Sequence, residues 1–367
     1  MDKVNNKIIM IEPAGKGGIC HYTYNLCQAL GKKKHVVLLT ASDYELISLP
    51  KTFILAPFFN KFKTNFKKVL NACKLIIKGG KIQHIQLSQY PFIILLLIIT
   101  LRLFGKRIVI TAHNIISHEK MIGSKTIFSL IYKSSHSIIV HAKKNKIEML
   151  NLFSIKPQKI YVIPHGNYMF FNLFNTNNKN MKIASNKNII LFFGYIRPYK
   201  GLIDLIKSMP IILKKIPDAE LIIAGKPVEP FDQYQQVINE LKINSHVTKN
   251  LSYIPLSKVK EYFEIADVVA MPYHKIYQSG VLQLAYAFGV PVVATDTGGL
   301  SEVIENGKSG FIVPVGNIEK LAERIIWILQ DKIFAKQMGE RTQEIANSTF
   351  SWDGIANQTI NLYDDII

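Results

Sequence analysis

Arg197 and Lys200 stand three residues apart in FFGYIRPYKGL, where an apolar run ends at Gly194 and a helical pattern, LIDLIKSMPIIL, begins at Leu202. Two cations at a strand-to-helix loop suit a diphosphate, which needs positive charge and several donors at once; a solvated pair of surface charges is the plainer alternative. A second stretch, YQSGVLQLAYAFG at 277–289, contains no acid or base. Its glycine-marked helix start offers something else: Ser279, Gly280 and Val281 can turn backbone N–H groups toward phosphate. The rest of the stretch packs a helix.

Two stretches of the first half also have site-like composition. In EPAGKGGICHYTYNL, Gly15, Gly17 and Gly18 precede a helix, and glycines there let backbone N–H groups approach an anionic ligand. The pattern is not a complete GxGxxG, because Cys20 stands where the third glycine belongs. A tight turn into a helix explains it equally. His113 ends the run IVITAHN, where an imidazole can donate to a sugar hydroxyl or stabilise a developing charge. A core or capping role is its alternative, and His84, His136 and His141, within or beside strands, are expected to be structural. Gly307-Lys308-Ser309 resembles the end of a Walker A motif, but Glu302 occupies the required glycine position and a strand, FIVPV, follows. No HExxH or carboxylate cluster is present, so no metal is expected.

These residues need a scaffold that puts strand ends beside helix starts. Short β-branched runs alternate with helical patterns along the whole chain, the signature of parallel α/β architecture. Strands are expected at Ile8–Ile11, Val36–Thr40, Phe53–Ala56, His84–Leu87, Ile108–Ala112, Ile138–Ala142 and Tyr161–Ile163. The pattern restarts at Ile189–Phe193, Glu220–Ala224, Val268–Met271, Val292–Thr295 and Phe311–Val313. Between the two sets, residues 167–188 are Asn-rich and aperiodic, a linker candidate, and a last helix is expected from Trp352 to Tyr363. At 367 residues the chain exceeds one ordinary core. Two doubly wound domains follow, with ligands beyond the carboxyl ends of their strands, in a cleft between the sheets.

Charge divides unevenly. Residues 1–180 hold 26 Lys/Arg and 6 Asp/Glu, whereas residues 181–367 hold 19 and 20, so nearly all of the net +19 lies in the first half. Such asymmetry marks a polyanionic partner: nucleic acid, an anionic bilayer or a phosphorylated substrate. The three cysteines show no repeating spacing, which argues against a disulfide framework and a Cys-based zinc site and suits a reduced compartment. The N-terminal MDKVNNKIIMIEP has no signal-peptide h-region. The longest apolar run, PFIILLLIITLRLF, falls short of a membrane span and is expected to be a buried crossover helix, with membrane contact as the alternative. A cytoplasmic protein is therefore expected.

The order of GGICHYTYNL, ITAHN, YVIPHGN, FFGYIRPYKGL, ELIIAGKP, ADVVAMPY and GVPVVATDTGGLSEVIENGKSGFIVPVGN resembles that of retaining nucleotide-sugar glycosyltransferases of family 4 (glycosyl transferases group 1), which have the two-Rossmann GT-B fold. The resemblance covers about residues 8 to 320. The closing FSWDGIANQTINLYDDI also resembles the family's last helix, which crosses back onto the first domain. It implies an acceptor-binding domain at 1–170, a nucleotide-sugar-binding domain at 171–350 and a returning helix at 351–367. It further implies that Arg197 and Lys200 neutralise the donor diphosphate, and that Gly17 and Gly18 lie near the phosphates and acceptor. His113 would stand beside the transferred sugar. Thr297, Gly298 and Gly299 would form a backbone-lined turn facing the donor, with Glu302 the acid after it. Catalysis would be front-side displacement, the leaving phosphate taking the acceptor proton, with no metal or other cofactor.

One element of the pattern is missing. The family carries a pair of glutamates around the glycine-led turn, one for the donor sugar and one for the ribose hydroxyls. Aligned on Gly280 these positions are Tyr277 and Ala285; aligned on Gly289 they are Ile276 and Leu284. Gln283 is the nearest polar side chain. A ribose would then need another partner, Glu302 or a main-chain group. A catalytically degenerate binding protein, or a nucleotide-sugar 2-epimerase of similar architecture, would be the other functions such a chain could serve.

The acceptor side is basic. NKFKTNFKKVLNACKLIIKGGK is an amphipathic pattern in which Phe62, Phe66, Val69, Leu70, Cys73 and Ile77 share a stripe among lysines. Such a helix can lie on an anionic bilayer, each lysine near the surface contributing about 1 kcal/mol, or pack on the sheet with its lysines solvated. No nucleic-acid motif or aromatic-rich basic platform is present, so no nucleic-acid partner is expected. The expectation is peripheral attachment to the inner membrane face, with a lipid-linked sugar of a surface polysaccharide pathway as acceptor.

Overall fold

The computed structural model describes residues 7–59, 79–87, 91–116, 124–174 and 187–367. The chain forms two units: Met1–Gly166 together with Phe350–Ile367, and Asn167–Thr349. The sequence boundaries at 170 and 350 thus fall at 166 and 349.

In the first unit the elements run β1 (Lys7–Glu12), α1 (Gly18–Gly31), β2 (His35–Ala41), β3 (Ile54–Phe59), β4 (Ile82–Leu87), α2 (Pro91–Leu103), β5 (Arg107–Ala112), α3 (Ser124–Ser134), β6 (Ser137–Val140), α4 (Lys143–Leu152) and β7 (Ile160–Val162). The seven strands form one parallel sheet in the order β3-β2-β1-β4-β5-β6-β7. Helices on both faces explain why strands such as β1 are buried throughout rather than on alternate residues: Ile9, Met10 and Ile11 are all fully buried. The strand order reverses beside β1, which pairs with β2 on one side and β4 on the other. Loops at such a switch point splay apart and leave room for a ligand.

The second unit contains β8 (Asn188–Phe193), α5 (Leu202–Leu213), β9 (Ala219–Ala224), α6 (Asp232–Glu240), β10 (Val247–Asn250), α7 (Leu256–Ile265), β11 (Val268–Met271), α8 (Gly280–Ala287), β12 (Val292–Thr295), α9 (Leu300–Val303), β13 (Gly310–Val313), α10 (Ile318–Gln330) and α11 (Lys332–Asn347). Its parallel sheet has the order β10-β9-β8-β11-β12-β13 and reverses beside β8. The last helix, α12 (Trp352–Ile366), belongs to the first unit and packs on α1. Tyr363 Oη lies 2.6 Å from His84 Nδ1, and the Trp352 ring packs so closely on Gly166 that a Cβ there would come within 2.3 Å.

Three features depart from the sequence expectations. β10 was not foreseen, because VTKN is an edge strand with Thr248 and Lys249 exposed and no apolar run to reveal it. The start of the expected linker is ordered: Met169–Leu173 form a 3-10 turn that packs Phe170 and Phe171 inward against the α7 region. Finally, α2 is not simply a buried crossover. It buries Ile94, Leu95, Ile98 and Leu101 while Phe92, Ile93, Leu96, Ile99 and Leu103 are exposed. The basic segment at 60–81 lies almost entirely outside the described residues, as does Cys73, whereas Cys20 and Cys27 are buried free thiols. No described helix is long and apolar enough to cross a membrane.

Candidate functional site

At the switch point of the second sheet, the chain leaves β8 at Gly194 and makes a 3-10 turn at Pro198–Lys200 before α5. The Lys200 N–H donates to the Arg197 carbonyl (2.9 Å), and Gly201, in the left-handed region (φ 64°), ends the turn. The His274 N–H donates to the Tyr199 carbonyl (2.7 Å), and His274 Nε2 lies 2.6 Å from Asp204 Oδ2, tying the turn to the segment after β11. This anchoring turns the Lys200 side chain inward. Only 9% of the residue is exposed, and its Nζ lies 5.5 Å from the centroid of the buried Tyr273 ring.

A Cβ at Gly194 would stand 3.0 Å from Lys200 Nζ and 3.5 Å from Val281 Cγ2. Gly194, Lys200 and the start of α8 are therefore in one place, and glycine is what lets them meet. Burial, and secondarily the Arg197 charge, lower the Lys200 pKa from its ordinary 10.5 to about 8. Among the described residues no carboxylate pairs with Arg197 or Lys200. Two cations held together without an anion favour an anionic ligand.

The start of α8 completes the second side. Ser279 is extended and makes no side-chain cap, so the first N–H groups of the helix lack that partner. The Tyr273 hydroxyl is bonded to Ser279, and the Tyr168 ring lies 3.1 Å from a Cβ placed on Gly280. The 297–299 turn packs on the same segment. A Cβ on Gly298 (φ 53°) would fall 1.8 Å from the Ile276 carbonyl oxygen, and the Gly299 N–H donates to the Tyr277 carbonyl (3.3 Å). The Thr297 N–H donates to Thr295 O (2.8 Å). The Gly299 N–H therefore shapes the 276–279 segment rather than facing a donor. Glu302 is exposed at the end of the short α9. Both registers of the missing glutamate pair are filled by buried residues, Ile276, Tyr277, Leu284 and Ala285. Gln283 is fully buried, and neither end of its amide is paired among the described residues. Gly307-Lys308-Ser309 is a turn into β13, its Ser309 hydroxyl bonded to Tyr286 (2.7 Å).

The first unit holds its own cluster. The loop after β1 is pinned by the buried Glu12 carboxylate, which accepts from Ala14 N (2.9 Å), Gly15 N (2.8 Å) and Thr40 Oγ1 (3.1 Å). Burial raises the Glu12 pKa, partly offset by these donors. The Gly17 N–H donates to Glu45 Oε2 (2.9 Å), which also meets His21 Nε2 (3.0 Å), while Gly18 opens α1. This corrects the anion-cradle reading of Gly17. A protein carboxylate already occupies that donor, and its negative charge disfavours phosphate at the same spot.

His113 lies at the end of β5, 9% exposed, with Nε2 2.8 Å from Gln86 Oε1 and Nδ1 3.3 Å from His141 Nε2. His141 Nδ1 donates to the Ile163 carbonyl (2.9 Å), which leaves its Nε2 as an acceptor facing His113 Nδ1. A neutral His113 with its proton on Nε2 donates to Gln86 Oε1 at the shorter distance, while the Gln86 amide nitrogen donates to Met10 Sδ (3.1 Å). The alternative, a doubly protonated His113, is opposed by burial and by the neighbouring histidines, which hold its pKa well below 6.5. His113 is thus a neutral ring with Nε2 engaged by Gln86. A sugar hydroxyl reaches it only in place of Gln86. Tyr22 stands at the centre, 4.9–5.3 Å by ring centroids from His113, His141, His165 and Trp352. His84, between Tyr363 and Thr111 Oγ1 (2.6 Å each), and His136, which accepts from Ile108 N (3.0 Å), hold strands together. Gln86, Tyr22, Tyr168 and Tyr273 were not foreseen, because no local pattern marks a side chain whose partners lie on distant strands. The described residues contain no group of His, Cys, Asp and Glu suited to a metal ion.

Residues 16–166 match the model of Glycosyltransferase Family 4, and residues 174–345 that of Glycosyl transferases group 1. An uncharacterised glycosyltransferase of Methanocaldococcus jannaschii is 28% identical over 253 residues, covering 65% of this chain and 63% of its own. The capsular polysaccharide biosynthesis glycosyltransferase CapM of Staphylococcus aureus is 26% identical over 238 residues, covering 62% and 61%. The chain thus spans less than two thirds of the length of these curated relatives. Among solved structures, Anabaena HepE in complex with UDP-glucose is similar in fold, with a TM-score of 0.79 at 18% identity and coverage of 98% and 99%. Matches to both family models, one on each of two doubly wound parallel units, show that the chain belongs to the family 4, group 1 glycosyltransferases with GT-B architecture.

Proposed function

We propose that this chain transfers a hexose-type sugar from a nucleotide-sugar donor to an acceptor hydroxyl with retention of configuration. The observation that carries the donor assignment is the buried Lys200, beside Arg197 and the uncapped start of α8. The diphosphate takes the two cations and the N–H groups of the helix start at Ser279, Gly280 and Val281. Charge neutralisation comes from the protein, so no metal or other cofactor is invoked. The C1–phosphate bond breaks as the C1–O bond to the acceptor forms on the same face, and the acceptor proton passes to the leaving phosphate. His113 stands beside the transferred sugar as a neutral group positioned by Gln86 and His141. Thr297, Gly298 and Gly299 shape the wall of the donor site, and Glu302 is the acid offered to the ribose. Gly17 and Gly18 line the acceptor side, where Glu45 at the Gly17 N–H suits hydroxyls better than phosphate.

The acceptor we propose is a lipid-linked sugar or growing glycan of a surface polysaccharide pathway, met at the inner face of the cell membrane. The excess of Lys/Arg in residues 1–180 supports that location. A thermal-shift panel of UDP-, GDP- and ADP-sugars tests the donor site, repeated with Arg197→Ala and Lys200→Ala. Stabilisation by one nucleotide series, lost in both variants, is the expected result. No response from the wild type to any member would defeat the donor assignment and leave a degenerate binding protein. Conversion of a nucleotide sugar to its epimer without acceptor would replace the transferase by an epimerase.

A further inference from the structure

Helix α2 is apolar on two opposite faces. Ile94, Ile98 and Leu101 recur at helical spacing and, with Leu95, are buried against the unit. Phe92, Leu96, Ile99 and Leu103 recur on the opposite face and are exposed, Leu103 by 83% and Phe92 by 59%, with Ile93 beside them at 61%. A 13-residue helix is about 20 Å long, so the stripe runs the depth of the layer. Phe104, just past the helix, and Leu130 on the neighbouring α3 are also exposed. Contiguous exposed apolar side chains on this scale mark an interaction surface.

The surroundings decide what covers it. Between Glu45 and Glu148 the only acidic residue is Glu119, against 17 Lys/Arg. The cations gather at the foot of α2. Arg102 Nη1 donates to Ser134 O, Lys106 Nζ to Gly79 O, and Lys159 Nζ to Lys133 O and Ser135 O. Burial, and then the nearby charges of Arg102, Arg107 and Lys159, lower the His136 pKa to about 4. An apolar stripe with Arg102, Lys106, Arg107 and Lys159 gathered at one end complements acyl chains beneath anionic headgroups. A second copy would bring the same cations against themselves.

We propose that the outer face of α2 docks this chain on an anionic lipid bilayer, with Phe92, Leu96, Ile99 and Leu103 entering the interface and Arg102 and Lys106 meeting headgroups. The proposal gives a surface to the membrane-linked acceptor of the proposed function and rests on that reading for its purpose. Its test is flotation of the full chain with vesicles of phosphatidylcholine alone and of equal parts phosphatidylcholine and phosphatidylglycerol. The comparison variant is Leu96→Gln/Ile99→Gln/Leu103→Gln, all exposed positions. The wild type should float with the anionic vesicles and be released by salt; the variant should partition at least about tenfold less, with an unchanged unfolding midpoint and unchanged stabilisation by nucleotide sugar. Equal flotation of the two proteins, or no preference for phosphatidylglycerol, would overturn the docking face. So would a wild-type dimer that the variant dissolves, which would assign the stripe to a second copy. Flotation without any nucleotide-sugar response would instead refute the enzymatic reading and leave the docking face standing.

Discussion

Replacing Lys200 by methionine should make the unliganded protein more stable and the donor site useless. The lysine is buried, and its pKa falls from 10.5 to about 8. At 1.36 kcal/mol per pKa unit, holding its charge in the folded state costs about 3 kcal/mol at pH 7. Methionine keeps a similar stem and volume, at the loss of the cation–π contact with Tyr273, worth about 1 kcal/mol. A net gain of about 2 kcal/mol follows. The sign with pH is also set. Because the folded-state pKa is the lower one, the unfolded chain holds the extra proton between about pH 8 and 10.5, and wild-type stability rises through that window. The advantage of Lys200→Met should therefore be full below pH 8 and gone near pH 10.5. Urea unfolding followed by Trp327, which lies in the second unit, measures it in a Trp352→Phe background, since the chain has 2 tryptophans. Added nucleotide sugar should stabilise the wild type and leave the variant unmoved. A variant less stable than wild type at pH 7, or an advantage that persists at high pH, would refute the account of an uncompensated buried cation.

Two further expectations concern the framework. Gly298→Ala should destabilise by about 3 kcal/mol or more, since its Cβ would lie 1.8 Å from a carbonyl oxygen at φ 53°. Gly307→Ala, also in the left-handed region but facing open space, should cost only about 1 kcal/mol; equal losses in urea titrations would deny that the 298 turn is packed on Ile276. The first unit should be acid-labile, because His84, His141 and His165 are held neutral with pKa values of about 3, 4 and 3, and His113 well below 6.5. Their depressed values favour folding above pH 6.5 and lose that contribution as pH falls through it, each by about 1.4 kcal/mol at pH 5.5. Trp352 fluorescence should show the loss, reduced in His141→Gln; a stability flat from pH 7 to 5 would contradict neutral burial.

Strand positions were legible because residues buried on both faces of a parallel sheet leave unbroken apolar runs, as at Ile189–Phe193. The cation pair at Arg197 and Lys200 was legible for a local reason too: strand, glycine, turn and helix follow one another within eleven residues. What sequence could not show was partnership at a distance. Glu45 reaches back 28 residues to take the Gly17 N–H that composition had assigned to an anion. Tyr168 and Gly280, 112 residues apart in sequence, meet because the ordered start of the linker packs under α7. For α2 the limit was different. A helix apolar on every side gives no sign of which face is covered, and only the exposed Phe92, Leu96 and Leu103 distinguish a surface from a core.

The return of α12 has a consequence for how the molecule is made. The strands of the first unit are translated before the second unit, yet the Trp352 ring that covers Gly166 and the Tyr363 hydroxyl that meets His84 are translated after it. The second unit, continuous from Asn167 to Thr349, has all its strands before α12 is made. Maturation therefore proceeds out of order: the later unit can finish folding while the earlier one waits, its α1 face open, for α12. A chain cut at Thr349 would keep every strand of both sheets but lose this closure, so the first unit is finished only by a helix that follows the second in sequence.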